Sequence, residues 1–391
     1  MNSIQTRHII SIGLALFAML FGAGNLIYPL QVSTCGNLTW YGLAGFMITA
    51  VCLPFAGLIG ILLFDGNYRS FYGRLGTVPS RIFLFISIML IGPLLAIPRT
   101  VALAHVMIAP FLPGFLNQIT TLSSFVFALI FLGLTFLVTC RENKIVSLLG
   151  NVISPLLVLS LAIIIGSGLW NAPMISVCHD NAWEVFKINF MRGYETLDLI
   201  SAIFFASIVL SFLKRTLGSD YNPRVTATIG LQAGMIGIAL LGIMYIGLIA
   251  VSTYYGQGLS GVGVGELLYD IAFSVLGSYG SFFISIAVFM ACLSTAVALS
   301  AVVAEYVENA LFRANISFFA ALVMVMVASI PLATFGLDKV SQLAAGPILY
   351  IGYPVLITLT ICNIAYKLTG FKYVKLPVLI TFIVTFISYL W

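Results

Sequence analysis

Charged side chains are scarce in this sequence. Asp, Glu, Lys and Arg make up only 7% of the 391 residues, whereas 61% are hydrophobic. Soluble domains carry roughly 25% charged residues, so this chain has too few polar side chains to cover a surface exposed to water. The scarcity excludes a soluble globular domain. It predicts an all-α polytopic membrane protein in which one helical bundle is surrounded mostly by lipid.

Histidine and cysteine are too sparse to form a catalytic or metal-binding pattern. His8, His105 and His179 do not cluster with carboxylates, and the six cysteines lack metal-ligand spacing. We therefore expect no enzyme and no cofactor. The net charge of +5 comes from scattered basic residues without interleaved aromatics, which excludes nucleic acid as a partner. No feature predicts an obligate protein partner; the lipid bilayer is the expected surrounding.

Apolar runs long enough to span a bilayer recur along the whole chain, and about 20 residues are needed for each. The largest predicted loops are 171–187 and 255–279, and no linker divides the chain. Eleven spans are predicted, at 8–30, 41–64, 82–110, 122–140, 145–170, 188–213, 225–254, 280–304, 317–336, 343–366 and 374–391.

The distribution of basic residues predicts the orientation. With the N-terminus in the cytoplasm, thirteen Lys and Arg residues fall on the inner side and Lys187 and Lys339 on the outer side. Arg99 lies within a span, and Arg192 lies at the outer start of another, so a strict count gives the outer side three. The positive-inside rule favours this arrangement, and eleven spans place the C-terminus outside. Cys35 and Cys178 then share the outer side, where a disulfide or two unrelated thiols are both compatible with the sequence.

The first span contains the helix-breaking segment Phe21-Gly22-Ala23-Gly24-Asn25, with Pro29 after it. Glycine and proline disfavour a continuous helix. One interpretation is an unwound segment whose carbonyls bind a cation and whose second half presents N–H groups to an anion. The other is close helix packing through small residues. This span alone does not separate them.

The sixth span carries an acidic residue well inside its apolar run. Placing a carboxylate at the centre of a membrane helix costs about 2.5–3.5 kcal/mol, so Asp198 is a functional candidate unless it lies at the interface. Glu195 is nearer the edge, where simple solvation explains it as well. Irregular helices at corresponding positions of two halves predict an inverted repeat, with 8–170 as the first repeat, 188–366 as the second and 374–391 as an extra helix.

Two further sites lie in the third and eighth spans. Arg99 follows Gly92-Pro93 and is interpreted as a gating charge paired with Asp198 or Glu305, as a contact for a substrate carboxylate, or as an arginine that snorkels to the interface. Glu305 lies at the inner end of the eighth span, where solvation is the alternative. Ser294 and Thr295 either bind a small cation or hydrogen-bond to their own helix.

Four motifs together resemble the branched-chain amino acid:cation symporter family. They are FGAGNLIYPL at 21–30, GPLLAIPRT at 92–100, GYETLD at 193–198 and ACLSTAVAL at 291–299. The family is similar to transporters of the LeuT-like fold, which have two inverted repeats of five helices with discontinuous helices 1 and 6. Family members commonly have twelve spans, whereas eleven are predicted here.

The resemblance implies import of leucine, isoleucine and valine, usually with Na⁺, across a bacterial inner membrane. It implies a Na⁺ site formed by the carbonyls of Ala18, Phe21 and Ala291 and the hydroxyls of Ser294 and Thr295. It implies that the amino acid contacts Gly22, Ala23, Gly24, Tyr194, Thr196, Leu197 and Asp198, and that Asn25 supports either a second cation or the substrate end of the break.

The expected mechanism is secondary active symport by alternating access. The main alternative is a proton-coupled transporter of other small neutral amino acids, because Asp198 and Glu195 could titrate. A channel would need a continuous polar stripe along several spans, and the sequence has isolated polar clusters instead.

Overall fold

Helices form all the regular structure in the part of the chain that the computed structural model describes, which is residues 6–140, 149–170, 172, 181–217, 222–255, 264–344 and 346–391. The first half contains α1 Thr6–Leu20, α2 Ala23–Val32, α3 Thr39–Met47, α4 Leu53–Leu62, α5 Tyr68–Gly73, α6 Thr77–Met89, α7 Ala96–Ile108, α8 Thr121–Thr139 and α9 Ser154–Trp170. The second half contains α10 Ala182–Arg192, α11 Asp198–Leu217, α12 Pro223–Tyr255, α13 Val264–Tyr306, α14 Phe318–Ala333, α15 Leu337–Ala344, α16 Pro347–Thr369 and α17 Lys375–Leu390.

The all-helical membrane architecture is confirmed, while the number of spans stays a prediction. Within the described ranges, eight helical stretches are long and apolar enough to cross a membrane, and α1 with α2 makes a ninth that is bent by 71°. The predicted spans 317–336 and 374–391 correspond to α14 and α17, which are apolar but only 16 residues long. Sixteen residues rise about 24 Å, less than the roughly 30 Å hydrocarbon core.

Both predicted long loops contain helix. α10 begins at Ala182, and α13 begins at Val264, well before the predicted start at 280. The early part of α13 contains the short apolar stretch Leu267–Ser278, with Leu268 and Ile271 buried, and this stretch is too short to be predicted as a span of its own. Gly277, with a φ of 67°, separates it from the spanning part of the helix. Cys178 lies outside the described residues, so its pairing with Cys35 stays untested.

The first discontinuity lies between α1 and α2. The last turn of α1 closes when the Phe21 N–H donates to Phe17 O at 2.7 Å. The Gly22 N–H then donates to the side-chain oxygen of Asn25 at 3.2 Å, which satisfies a backbone group that the break would otherwise leave unpaired. A Cβ at Gly22 would lie 2.8 Å from the side chain of Thr295, so only glycine fits here.

The second discontinuity separates α10 from α11. A tight turn at Gly193–Thr196 ends at Leu197, which has a left-handed φ of 65°. The Thr196 hydroxyl donates to Gly193 O at 2.9 Å and accepts from the Asp198 N–H at 3.3 Å. A left-handed non-glycine residue costs roughly 1–3 kcal/mol and is found most often at functional sites. Discontinuous helices 1 and 6 are therefore present where they were predicted.

Packing between the halves follows a twofold pattern. α1 packs on α12, whereas α10 and α11 pack on α3 and α4. α1 belongs to the first span and α12 to the seventh, whereas α3 and α4 belong to the second span and α10 and α11 to the sixth. Exchanging the first span with the sixth and the second with the seventh therefore converts one of these contacts into the other. α7 packs against α13, and the same exchange maps that pair onto itself. This is the arrangement of a LeuT-like inverted repeat, with α17 attached to α16 outside it.

Candidate functional site

The two discontinuities meet through a buried polar cluster. The side-chain amide of Asn25, at the start of α2, donates to both carboxylate oxygens of Asp198 at 2.9 Å. The hydroxyl of Tyr245, from α12, donates to Asp198 Oδ2 at 2.6 Å and also contacts the Asn25 amide. Asn25 and Asp198 are 2% and 1% exposed. Three helices that meet in this way at one carboxylate are coupled, because moving any of them breaks a buried hydrogen bond.

The orientation of the Asn25 side chain follows from the first discontinuity. Its oxygen accepts the hydrogen bond from the Gly22 N–H, so its NH₂ group faces Asp198. A carboxylate is an acceptor when ionised, and an amide nitrogen is only a donor. The break and the carboxylate thus fix one another through a single side chain.

Arg99 lies between the two discontinuities. From the start of α7, its Nη1 donates to Glu195 O at 2.6 Å and to the Tyr28 hydroxyl at 3.2 Å, and its Nη2 donates to Thr196 O at 3.4 Å. A Cβ on Gly24 would lie 2.6 Å from Nη2. The guanidinium therefore fills the space between the start of α2 and the carbonyls that end the 193–196 turn.

The hydrogen-bond partners of Arg99 differ from the two carboxylates, Asp198 and Glu305, that were predicted from the sequence. They are backbone carbonyls and a hydroxyl, whereas Asp198 interacts with it only as a nearby charge. Glu305 is exposed near the end of α13, while Arg99 is 3% exposed. The snorkelling alternative does not describe an arginine buried to this degree.

An oxygen-rich cluster lies beside the first discontinuity, between α1 and α13. Ser294 Oγ is 2.7 Å from Ala291 O and 3.0 Å from Ala18 O, and Thr295 Oγ1 is 3.4 Å from Ala18 O. Phe21, the last predicted member of the site, is fully buried where α1 ends. Carbonyl and hydroxyl oxygens are ligands for hard cations. The described residues contain no group of three or more His, Cys, Asp and Glu side chains that could hold a metal ion.

The predicted amino acid site is brought together, and three aromatic residues join it. Its members Gly22, Ala23, Gly24 and Asn25 belong to one discontinuity, and Tyr194, Thr196, Leu197 and Asp198 to the other. Tyr353 stacks on Tyr194 with ring centroids 4.8 Å apart, and its hydroxyl accepts from the Leu199 N–H at 3.0 Å. Sequence reasoning did not single out Tyr353, Tyr245 or Tyr28. Of the three, only Tyr28 carried a signal, as part of the 21–30 motif.

Two broken helices related by an inverted repeat, joined at a buried carboxylate next to an oxygen cluster, place this protein in the class of LeuT-like folds. Two solved structures share the fold. MhsT in complex with L-phenylalanine superposes with a TM-score of 0.58 at 17% identity, over 97% of this chain and 98% of that one. A manganese transporter of Eremococcus coleocola gives 0.63 at 14% identity, over 99% and 87%.

Sequence comparison gives the family. Residues 5–390 match the family described as branched-chain amino acid transport protein. The branched-chain amino acid permease BraB of Bacillus subtilis strain 168 is 29% identical over 374 residues, which is 94% of this chain and 82% of the permease. This chain belongs to the branched-chain amino acid transport family, a family of multi-pass membrane transporters and not of enzymes.

Proposed function

We propose that this protein imports leucine, isoleucine and valine by symport with Na⁺ through alternating access. The observation that carries the proposal is the Asn25–Asp198 contact between two broken helices, with the Ser294–Thr295 oxygen cluster beside it. In carriers of this architecture, unwound backbone coordinates ions and half-helix ends hold polar groups of the substrate. We also propose that the protein resides in a bacterial inner membrane, as its family resemblance implies, with its N-terminus in the cytoplasm, as the distribution of Lys and Arg predicts.

Na⁺ would be bound by the carbonyls of Ala18, Phe21 and Ala291 and the hydroxyls of Ser294 and Thr295. These ligands come from α1, from the break after it and from α13, so a cation there draws two separate elements together. Gly22 and Asn25 follow directly in the chain. Ordering the break with Na⁺ would therefore also order the substrate site, and reciprocity requires the substrate to raise Na⁺ affinity equally.

The amino acid would lie between the two discontinuities. The N-terminal end of α2 would favour its carboxylate, while the carbonyls at 195–196 and the Asp198 carboxyl group would suit its ammonium group. The branched side chain would occupy apolar surroundings, where each methylene changes binding by only about 1–3 kcal/mol. Leucine, isoleucine and valine should therefore share one site.

The test of the substrate class is uptake of labelled leucine by proteoliposomes in Na⁺ buffer. We expect unlabelled isoleucine and valine to inhibit it nearly as well as leucine, and lysine and aspartate not to inhibit, because a second charge would have to enter an apolar pocket. Inhibition by lysine or aspartate as strong as by valine would contradict the assignment.

Gly24 gives a steric test of the site. A Cβ there would meet Arg99 Nη2 at 2.6 Å and Thr196 Cα at 3.2 Å. Such overpacking costs about 1–3 kcal/mol, so Gly24→Ala should lower the leucine affinity measured by uptake about 10-fold or more. Gly133→Ala is the matched control, because nothing lies within 4 Å of a Cβ at this exposed position in α8. Equal uptake by the two variants would place the substrate elsewhere.

Proton coupling is the second candidate, for a carrier of other small neutral amino acids. The buried Asp198 favours it, since a buried carboxyl group can carry a proton across the cycle. Half-buried Glu195 lies nearby. Uptake driven by an inward pH gradient in Na⁺-free buffer, and abolished in Asp198→Asn, would establish this mechanism in place of Na⁺ symport.

A further inference from the structure

The environment of Arg99 resembles the one that an amino acid's ammonium group requires. Its guanidinium binds Glu195 O and Thr196 O, which end the 193–196 turn where Leu197 adopts a left-handed φ. Carbonyls at the end of a helical segment carry partial negative charge and favour a cation. The carboxyl groups of Glu195 and Asp198 lie close enough to interact electrostatically with Arg99. In this structure the cation at the 195–196 carbonyls is the Arg99 guanidinium, a group of the protein itself.

We propose that Arg99 is an internal stand-in for the substrate ammonium, and that an incoming amino acid displaces it from the 195–196 carbonyls by offering it a carboxylate. This rests on the proposed amino acid transport. The ammonium then takes the two carbonyls, and the guanidinium binds the carboxylate of the same molecule. Arg99 is thereby a specificity-determining residue that admits only ligands carrying both charges.

The hydrogen bonds of Arg99 leave it a pair of donors for a carboxylate. Nη1 has two partners, at 2.6 Å and 3.2 Å, but Nη2 has one long contact at 3.4 Å and buried Nε has none. Nε and Nη2 form one side of the guanidinium fork, which binds a carboxylate through two parallel hydrogen bonds. A buried donor without a partner is costly, so a carboxylate bound there would be stabilised by satisfying Nε.

Exclusion of simple amines follows from this arrangement. An amine without a carboxylate would bring a second positive charge to carbonyls that Arg99 already occupies, and it offers nothing to draw the guanidinium away. Like charges at this range in a poorly hydrated site repel strongly. The carrier should reject 3-methylbutylamine, which is leucine without its carboxylate, although the apolar part is identical.

The test compares binding of leucine and 3-methylbutylamine to the purified full-length protein in Na⁺, by ligand-induced shifts of the melting temperature. We expect the wild type to bind leucine at least about 100-fold more tightly than the amine. Arg99→Gln should weaken leucine about 10-fold or more and strengthen the amine about 10-fold or more, because the carbonyls become free and the repelling charge is gone. Arg74→Gln is the matched control, since Arg74 lies over the Tyr366 ring at 3.8 Å, as Arg99 lies over the Tyr28 ring at 5.4 Å, but away from the site.

The outcomes separate this proposal from the proposed function. If the wild type binds leucine and Arg99→Gln leaves the leucine-to-amine ratio unchanged, or weakens both ligands equally, the stand-in role is overturned and transport is not. If the wild type binds no leucine, both are overturned. If Arg99→Gln shows no melting transition, Arg99→Lys decides. It keeps the charge without the fork, so leucine should weaken about 10-fold while the amine stays excluded; unchanged leucine affinity would overturn the proposal.

Discussion

Replacing Asp198 by alanine should reduce leucine uptake by at least about 100-fold. The substitution removes the acceptor of two buried donors, the Asn25 amide and the Tyr245 hydroxyl. Each donor left unsatisfied costs about 1–3 kcal/mol, and 2.7 kcal/mol already corresponds to a factor of about 100. The change also releases α2 from α11 and α12 and removes a carboxyl group near the proposed ammonium position. The measurement is the initial rate of labelled leucine uptake per reconstituted protein at saturating Na⁺.

Asp338→Asn is the control for this variant, because Asp338 is an exposed acid in the first turn of α15. It should transport leucine at the wild-type rate. Uptake by Asp198→Ala within about threefold of the wild type would contradict the role given to the carboxylate.

The double variant Ser294→Ala, Thr295→Ala should raise the Na⁺ concentration for half-maximal leucine uptake by at least about 10-fold. It removes two of the five proposed oxygen ligands and leaves the backbone of α13 intact. Losing hydrogen-bonding and ligand groups worth about 1.4 kcal/mol together is enough for a tenfold change. At saturating Na⁺ the affinity for leucine should recover, because the substrate site itself is unchanged. Leucine uptake measured over a range of Na⁺ concentrations tests both statements.

Ser300→Ala is the control on the same helix. Ser300 is fully buried, and its hydroxyl has no hydrogen-bond partner, so its removal should leave the sodium dependence unchanged. If the double variant shows the same sodium dependence as Ser300→Ala, the proposal that Na⁺ binds at this cluster is contradicted.

Much of the site could be predicted because it violates the pattern of a membrane helix. Gly22, Gly24 and Asn25 interrupt an apolar span, and Asp198 places a carboxylate within another. Each is unfavourable in lipid unless the fold uses it, and the structure places them together. The alternative of mere helix packing by small residues also holds in part, since Gly22 abuts Thr295 closely.

The aromatic residues of the site do not interrupt the apolar pattern of a membrane helix, so the sequence did not mark them. Tyr245 and Tyr353 are amphipathic residues in apolar spans, where most tyrosines simply pack. Their roles depend on which faces of α12 and α16 point toward the discontinuities, and that is set by tertiary packing. The hydrogen-bond partners of Arg99 could not be predicted from the sequence either, because the carbonyls of Glu195 and Thr196 become available only when Leu197 adopts its left-handed conformation. A buried arginine in a sequence suggests a carboxylate side chain as its partner. The backbone carbonyls of a turn are also acceptors, but the sequence does not show where such a turn forms.

The most direct test of Na⁺-driven leucine symport is leucine accumulation by proteoliposomes under an inward Na⁺ gradient, with the membrane potential held constant. We expect leucine to rise above its external concentration, and replacement of Na⁺ by choline to stop this accumulation. Equal accumulation in choline, driven by an inward pH gradient alone, would contradict Na⁺ symport.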